Sequence, residues 1–324
     1  MPETHVAAAR VARPDLSIDL PVDAPFNLEA TVRLLQRRPT NRVHRWDAGA
    51  YSRAVETDDG LRLLRVTNAG TVDEPAVRLD VGGGPVSEPN VARLTAATRL
   101  VLGLDAPPAP TAWLEEVEPR LAPVTQALHG FRTPCFPTLF ETCASVVPFQ
   151  QLSLDAGTAI VGRLVERCGQ SLAVGDERWF SFPAPGAVAV APPEDLRAIG
   201  LSHAKVATLQ GIARLSADGE LDGDRLRELP TPQVLAALTG LPGVGPWTAS
   251  VILLRGFRRV EVFPEGDVGA ARNLTALLAE PVPFTPKAAS AFVERFGDRR
   301  GYLYFLALGN QLLARGLLGT PGAG

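Results

Sequence analysis

Asp267 lies in "VFPEGDVGAARNL", twenty-two residues after the second glycine of "TGLPGVGPWTAS". An aspartate before a helical stretch is a favoured N-cap. A helix N-terminus also keeps its carboxyl ionised, and an ionised carboxylate can stabilise a cation. The earlier stretch carries no acid, base, thiol or metal ligand. Its Gly243 and Gly245 permit positive φ and close backbone approach, and Pro246 suits the first turn of a following helix. That helix would present free N–H groups and its positive dipole end, a site for one phosphate that needs no lysine and reads no sequence. A glycine-rich corner between helices is also a common packing device, so the turn by itself leaves nucleic-acid contact open.

Other chemistry is poorly supplied. Cys135, Cys143 and Cys168 have spacings that suit neither a disulfide framework nor a zinc or iron–sulfur site, and read as free buried thiols. His5, His44, His129 and His203 form no pair at helical spacing, which argues against a metal enzyme. No run of about 18 uncharged apolar residues suggests a membrane span, and the N-terminus lacks the apolar core of a secretory signal. A cytoplasmic, nucleoid-associated protein is expected. The net charge of −3 over 324 residues weighs mildly against a polyanion partner. The charge is uneven, however: from Val251 onward nine Arg/Lys stand against six Asp/Glu.

The elements that must position these residues fall into two patterns. Residues 15–108 read as a small α/β unit. "LSIDL", "RVHRWD", "AYSRAVET", "GLRLLRVTN" and "AVRLDV" are strands, and "LEATVRLLQRR" and "EPNVARLTAATRLVLGL" are helices. An antiparallel sheet with two helices on one face is expected. The proline cluster "DAPPAPTAW" marks a boundary. Residues 109–318 are nearly all helical in pattern, with Pro148 starting or kinking the second helix of "PTLFETCASVVPFQQLSLDAGTAIVGRLVERCG". Residues 1–14 read as a flexible leader and 319–324 as a flexible tail. The fold class is therefore α+β.

"LPGVGPWTA" followed by "VFPEGD" resembles the helix-hairpin-helix, Gly/Pro-rich loop and aspartate signature (HhH-GPD) of the base-excision DNA glycosylases. Together with "FETCASVVPFQQLS", "FPAPGAVA" and "LRAIGLSHAKVATLQGIA", it is similar to the 3-methyladenine DNA glycosylase II branch. The resemblance spans roughly residues 15–315. It implies that a damaged nucleotide of double-stranded DNA is flipped into a cleft between helical subdomains and its N-glycosidic bond hydrolysed, by one chain acting as a monomer. Asp267 would stabilise the oxocarbenium-like sugar and orient water. Leu241, Gly243, Val244, Gly245 and Thr248 would form the phosphate-binding hairpin. No cofactor is required for the chemistry. The carbonyls of Thr239, Leu241 and Val244 would hold a structural monovalent cation, Na+ or K+. Gln150 or Gln151, with Gln151 preferred, would fill the vacated base stack.

Relatives that also nick the backbone carry a lysine just after the hairpin. Trp247 occupies that position here, and neither lysine of the chain, Lys205 or Lys287, is expected nearby. The resemblance thus implies a hydrolytic enzyme without lyase activity. Trp247 would stack on the flipped base, with Val251, Phe296, Arg299 and Tyr302 completing the pocket. An arginine there would repel a cationic base. Two other readings stay open: the same fold acting on oxidised, deaminated or etheno bases, or a non-catalytic helix-hairpin-helix DNA-binding protein.

Overall fold

The computed structural model describes residues 14–319. The leader and tail expectations lie, but for their innermost residues, outside that range. The N-terminal elements are β1 (Leu16–Leu20), α1 (Leu28–Gln36), β2 (Arg45–Asp47), β3 (Ala50–Thr57), β4 (Gly60–Asn68), β5 (Val77–Gly82) and α2 (Glu88–Leu102). The strands form one antiparallel sheet in the order β1-β5-β4-β3-β2. Successive side chains of a strand point to opposite faces, so Leu64 and Val66 on β4 share a face with their partners Val81 and Leu79 on β5. Against this face pack Leu28, Val32 and Leu35 of α1 and Leu94, Val101 and Leu102 of α2. Both helices therefore cover one side of the sheet, as the patterning predicts.

The other face is partly covered by a segment with no helical or strand expectation. Residues 171–180 form a hairpin, β6 (Ser171–Val174) and β7 (Glu177–Phe180). Its Trp179 packs with Ala54 and Leu63, a cross-strand pair on that face.

The remaining elements are helical: α3 (Thr111–Val117), α4 (Ala122–Ala127), α5 (Leu139–Val146), α6 (Leu154–Cys168), α7 (Pro185–Ala189), α8 (Pro193–Ala198), α9 (His203–Ala217), α10 (Gly223–Arg227), α11 (Thr231–Thr239), α12 (Pro246–Phe257), α13 (Val268–Leu277), α14 (Pro286–Val293) and α15 (Tyr302–Ala314). Pro148 sits in a 3-10 turn between α5 and α6 rather than at the start of α6. Two apolar cores organise them. One gathers α5, α6, α9, α11 and most of α12. The other gathers α13, α14 and α15, and takes Ala30 and Leu34 from α1. Helix α1 thus serves both the sheet core and the C-terminal helical core, which places its C-terminal end beside the helical half. No helix among the described residues is long and apolar enough to cross a membrane.

A second link between the halves is polar. Glu141 of α5 is buried and receives two hydrogen bonds from Arg53 of β3, at 3.3 and 3.0 Å, while His44 Nε2 lies 3.3 Å from it. His44 Nδ1 in turn lies 2.9 Å from the Tyr51 hydroxyl.

Candidate active site

The glycine turn joins α11 to α12. Gly243 has φ +80°, and a Cβ there would fall 1.9 Å from the Thr208 hydroxyl of α9, so no other residue fits without displacing that helix. Gly245 is different: a Cβ there would meet nothing within 4 Å, and the residue lines a cleft. One glycine is needed for packing inside the protein, while the other leaves open space outside it.

The first backbone bond of α12 runs from Ala249 N–H to Gly245 O at 2.9 Å. The amides of Gly243, Gly245, Trp247 and Thr248 donate to no acceptor among the described residues. The amides of Leu241 and Val244 do not share this freedom, since they donate to Leu238 O and Leu241 O, each at 3.1 Å. Of the residues expected at the hairpin, Gly243, Gly245 and Thr248 therefore carry free amides, as does Trp247.

The cleft beside this turn has a volume of about 1080 Å³. Asp267 lines it as the N-cap of α13: Oδ1 accepts the Ala270 N–H at 2.8 Å, and Oδ2 accepts the Trp247 Nε1–H at 2.8 Å. Two fixed donors thus orient one carboxylate. Trp247 is half-buried and also lines the cleft, so it serves the aspartate as well as the pocket wall. Val251, one turn further along α12, lines the cleft too.

Three expected pocket residues lie elsewhere. Phe296 is buried in the C-terminal core, edge-on to Trp113 with ring centroids 6.2 Å apart. Arg299 stacks over that same Trp113, 4.5 Å from its ring. Tyr302 is buried at the start of α15 and does not reach the cleft. Helix geometry gives the reason. At about 100° per residue, the face of α15 that lines the cleft carries Tyr304, Leu308, Gln311 and Arg315, and Tyr302 points away from it. That i, i+4, i+7, i+11 series was the signal available in the sequence.

The loop between α5 and α6 forms another wall. Gln150 Nε2 donates to Gly243 O at 3.0 Å and to Thr248 Oγ1 at 2.9 Å, tying the loop to the hairpin. Gln151 is exposed, with φ +57°, and Leu152 beside it is exposed as well. Contrary to expectation, Lys205 also lines the cleft. Its ammonium donates to Pro148 O at 3.0 Å and Gln150 O at 2.7 Å, fixing the loop's backbone, and burial pulls its pKa below the usual lysine range.

From the N-terminal half come Arg37 and Arg38 at the end of α1. Arg38 is paired with Asp155. Overall the cleft is lined by five basic side chains (Arg37, Arg38, Lys205, Arg272, Arg315) and two acidic ones (Asp155, Asp267). The chain's acidic balance is therefore reversed at the cleft. Among the described residues no cluster of His, Cys, Asp and Glu could hold a metal.

Two family models match parts of the chain. Residues 144–296 match the HhH-GPD superfamily base excision DNA repair protein model, and residues 17–136 match the AlkA N-terminal domain model. The helical region of the chain is thus similar to the HhH-GPD superfamily base excision DNA repair proteins. A relative named DNA-3-methyladenine glycosylase, from Bacillus subtilis, is 30% identical over 174 residues, which cover 54% of this chain and 57% of the relative. A Mycobacterium tuberculosis protein named probable bifunctional transcriptional activator/DNA repair enzyme AlkA is 29% identical over 271 residues, 80% of this chain and 51% of that one. The matched region thus spans little more than half the length of these relatives. Among solved structures, the 3-methyladenine DNA glycosylase from Archaeoglobus fulgidus shares the fold with a TM-score of 0.72, 22% identity, and coverage of 92% of this chain and 99% of that one.

Proposed function

We propose that the protein is a DNA glycosylase of base excision repair that flips an alkylated base from duplex DNA and hydrolyses its N-glycosidic bond, leaving the backbone intact. The observation that carries the reading is the doubly held Asp267 carboxylate in a basic cleft, next to a helix N-terminus with free amides. Phosphate binds the amides of Gly243, Gly245, Trp247 and Thr248, which costs no reorganisation on binding. Arg272 and Arg315, exposed at the cleft, add long-range attraction for the backbone.

Extruding the nucleotide costs a few kcal/mol, least for a damaged pair. Gln151 fills the gap, with Leu152 packing beside it. Gln150 is less suited, because its amide already serves the hairpin. As the glycosidic bond breaks, positive charge develops on the sugar and Asp267 stabilises it while accepting a proton from the attacking water. The Trp247 indole N–H fixes that carboxylate and its ring forms part of the wall beside the base. A Schiff-base nucleophile is absent after the hairpin, where Trp247 stands, and the Lys205 ammonium is engaged by two carbonyls. Both features support hydrolysis without strand cleavage.

The Thr239 and Val244 carbonyls accept no backbone hydrogen bond among the described residues, and that of Leu241 accepts one. Together they suit a monovalent cation that would stiffen the turn. The proposed active unit is a monomer acting on cytoplasmic, nucleoid DNA. The test is incubation of the purified protein with methylated duplex DNA. Free methylated base and intact abasic strands are expected; strand scission without added base would overturn the monofunctional reading.

A further inference from the structure

We infer that Arg37, backed by Tyr304 and Arg255, makes the inner wall of the cleft a hydrogen-bond donor surface that assists release of an electrically neutral purine bearing a ring carbonyl, beside the alkylated bases, and gives no help to a cationic alkylpurine. The inference rests on the glycosylase reading and sets which lesions that cleft takes.

Arg37 caps the C-terminal end of α1 in a left-handed conformation, φ +62°, and its guanidinium carbon lies 5.3 Å from the centre of the Phe149 ring. Both residues line the cleft. The Nε of Arg37 is buried without a hydrogen-bond partner, and its guanidinium meets no carboxylate among the described residues. Its terminal nitrogens make no hydrogen bond among the described residues, and a half-buried guanidinium at a cleft with such unused donors suits an acceptor from outside the protein. Its neighbour Arg38 lacks that freedom, being paired with Asp155.

Arg255 repeats the pattern one layer deeper. Trp247, Val251 and Arg255 follow at four-residue spacing on α12, so the helix face that begins at Trp247, the donor to Asp267, ends at Arg255. Arg255 is 1% exposed; it reaches only the Leu34 and Leu35 carbonyls, at 3.3 and 3.4 Å, and its Nε and one terminal nitrogen have no partner. The Tyr304 side chain lies beside it and lines the cleft. Burial pulls the Arg255 pKa down to about 10, so it is still a cation at neutral pH.

The chemistry follows from charge. A cationic alkylpurine departs as a neutral molecule and needs no help, but must first enter beside two uncompensated cations. A neutral purine departs with the bonding pair as an anion. Water forms the new bond to the sugar carbon, and Asp267 takes the water's proton. The anion formed on the base is stabilised by hydrogen bonds from Arg37 and the Tyr304 hydroxyl until it is protonated from solvent. The donors therefore strengthen in the transition state, where catalysis gains from them. Arg272 and Arg315 are too exposed for this role and suit phosphates.

The experiment compares single-turnover excision from two duplexes, one with a single hypoxanthine and one with a single N7-methylguanine. Both bases carry a carbonyl at C6, and only the second is cationic. Arg37→Met should lower hypoxanthine release tenfold or more, and leave N7-methylguanine release unchanged or raised. Tyr304→Phe, a milder change, should lower hypoxanthine release alone, which keeps the test valid if Arg37→Met folds poorly. An equal loss on both substrates with weaker DNA binding would assign Arg37 to a phosphate and overturn the inference, as would unchanged hypoxanthine release in both variants. Failure of the wild-type protein to release either base would instead overturn the glycosylase reading.

Discussion

Two groups of buried charge, neighbours near the C-terminal end of α1, end differently. Behind the sheet, Glu141, Arg53, His44 and Tyr51 answer one another. Burial alone would raise the Glu141 carboxyl, yet Arg53 and His44 hold it below the usual carboxylate range. At the cleft, Asp267 has one indole and one amide, while Arg37 and Arg255 meet no carboxylate. A cluster whose charges are paired with one another joins parts of the fold, even with Arg53 Nε and His44 Nε2 making no hydrogen bond. A cluster left incomplete in a cleft is fitted to something that arrives from outside.

Breaking the closed cluster should have the largest effect on stability. Glu141→Ala leaves Arg53 buried without its partner, and is expected to cost about 3–5 kcal/mol, read as a lower urea midpoint. A midpoint within error of wild type would show that the cluster does not hold the halves together.

Acid should act on the same cluster. Burial lowers the His44 pKa from 6.5 to about 4. The unfolded chain therefore binds the proton more readily than the folded one. This contribution to stability is complete above pH 6.5 and disappears as the pH falls towards 4, a loss of about 3 kcal/mol. Glu141, with its depressed pKa, adds a further loss once the pH falls below the usual carboxylate range. His44→Gln should show a flatter dependence between pH 7 and 5, and equal slopes would remove His44 from the account.

The open cluster should respond in activity, with little change in stability. Trp247→Phe keeps a ring in the wall and deletes one of the two bonds to Asp267, so base release should fall about tenfold, worth roughly 1.4 kcal/mol in the barrier. Smallest of all, Arg37→Met should move the unfolding free energy by no more than about 0.5 kcal/mol, since it breaks no pair. A large destabilisation there would erase the contrast between the two clusters.

The sheet, its helices, the glycine turn and Asp267 were legible because each is written locally: alternation, helical spacing, Gly and Pro punctuation, and a cap residue at a recognisable distance. The pocket was not. Tyr302 is on the right helix but on the wrong side of it, a choice set by how α15 rotates against α13, and Phe296 and Arg299 fall in the 3-10 turns before that helix begins. Arg37 carries no local signal at all, because it reaches the cleft only through the packing of α1 on α15. Lys205 likewise enters through contact of α9 with the turn after α5. The β6–β7 hairpin was hidden by its short, mixed-polarity strands.

The central claim is that Asp267 turns a DNA-binding turn into a catalyst. Its most direct test is the mass of base released from methylated duplex DNA by wild type and by Asp267→Asn, each also scored for binding to an abasic duplex. The variant should lose at least about a hundredfold in release while binding as tightly as wild type or tighter. Release at the wild-type rate by Asp267→Asn would contradict the account.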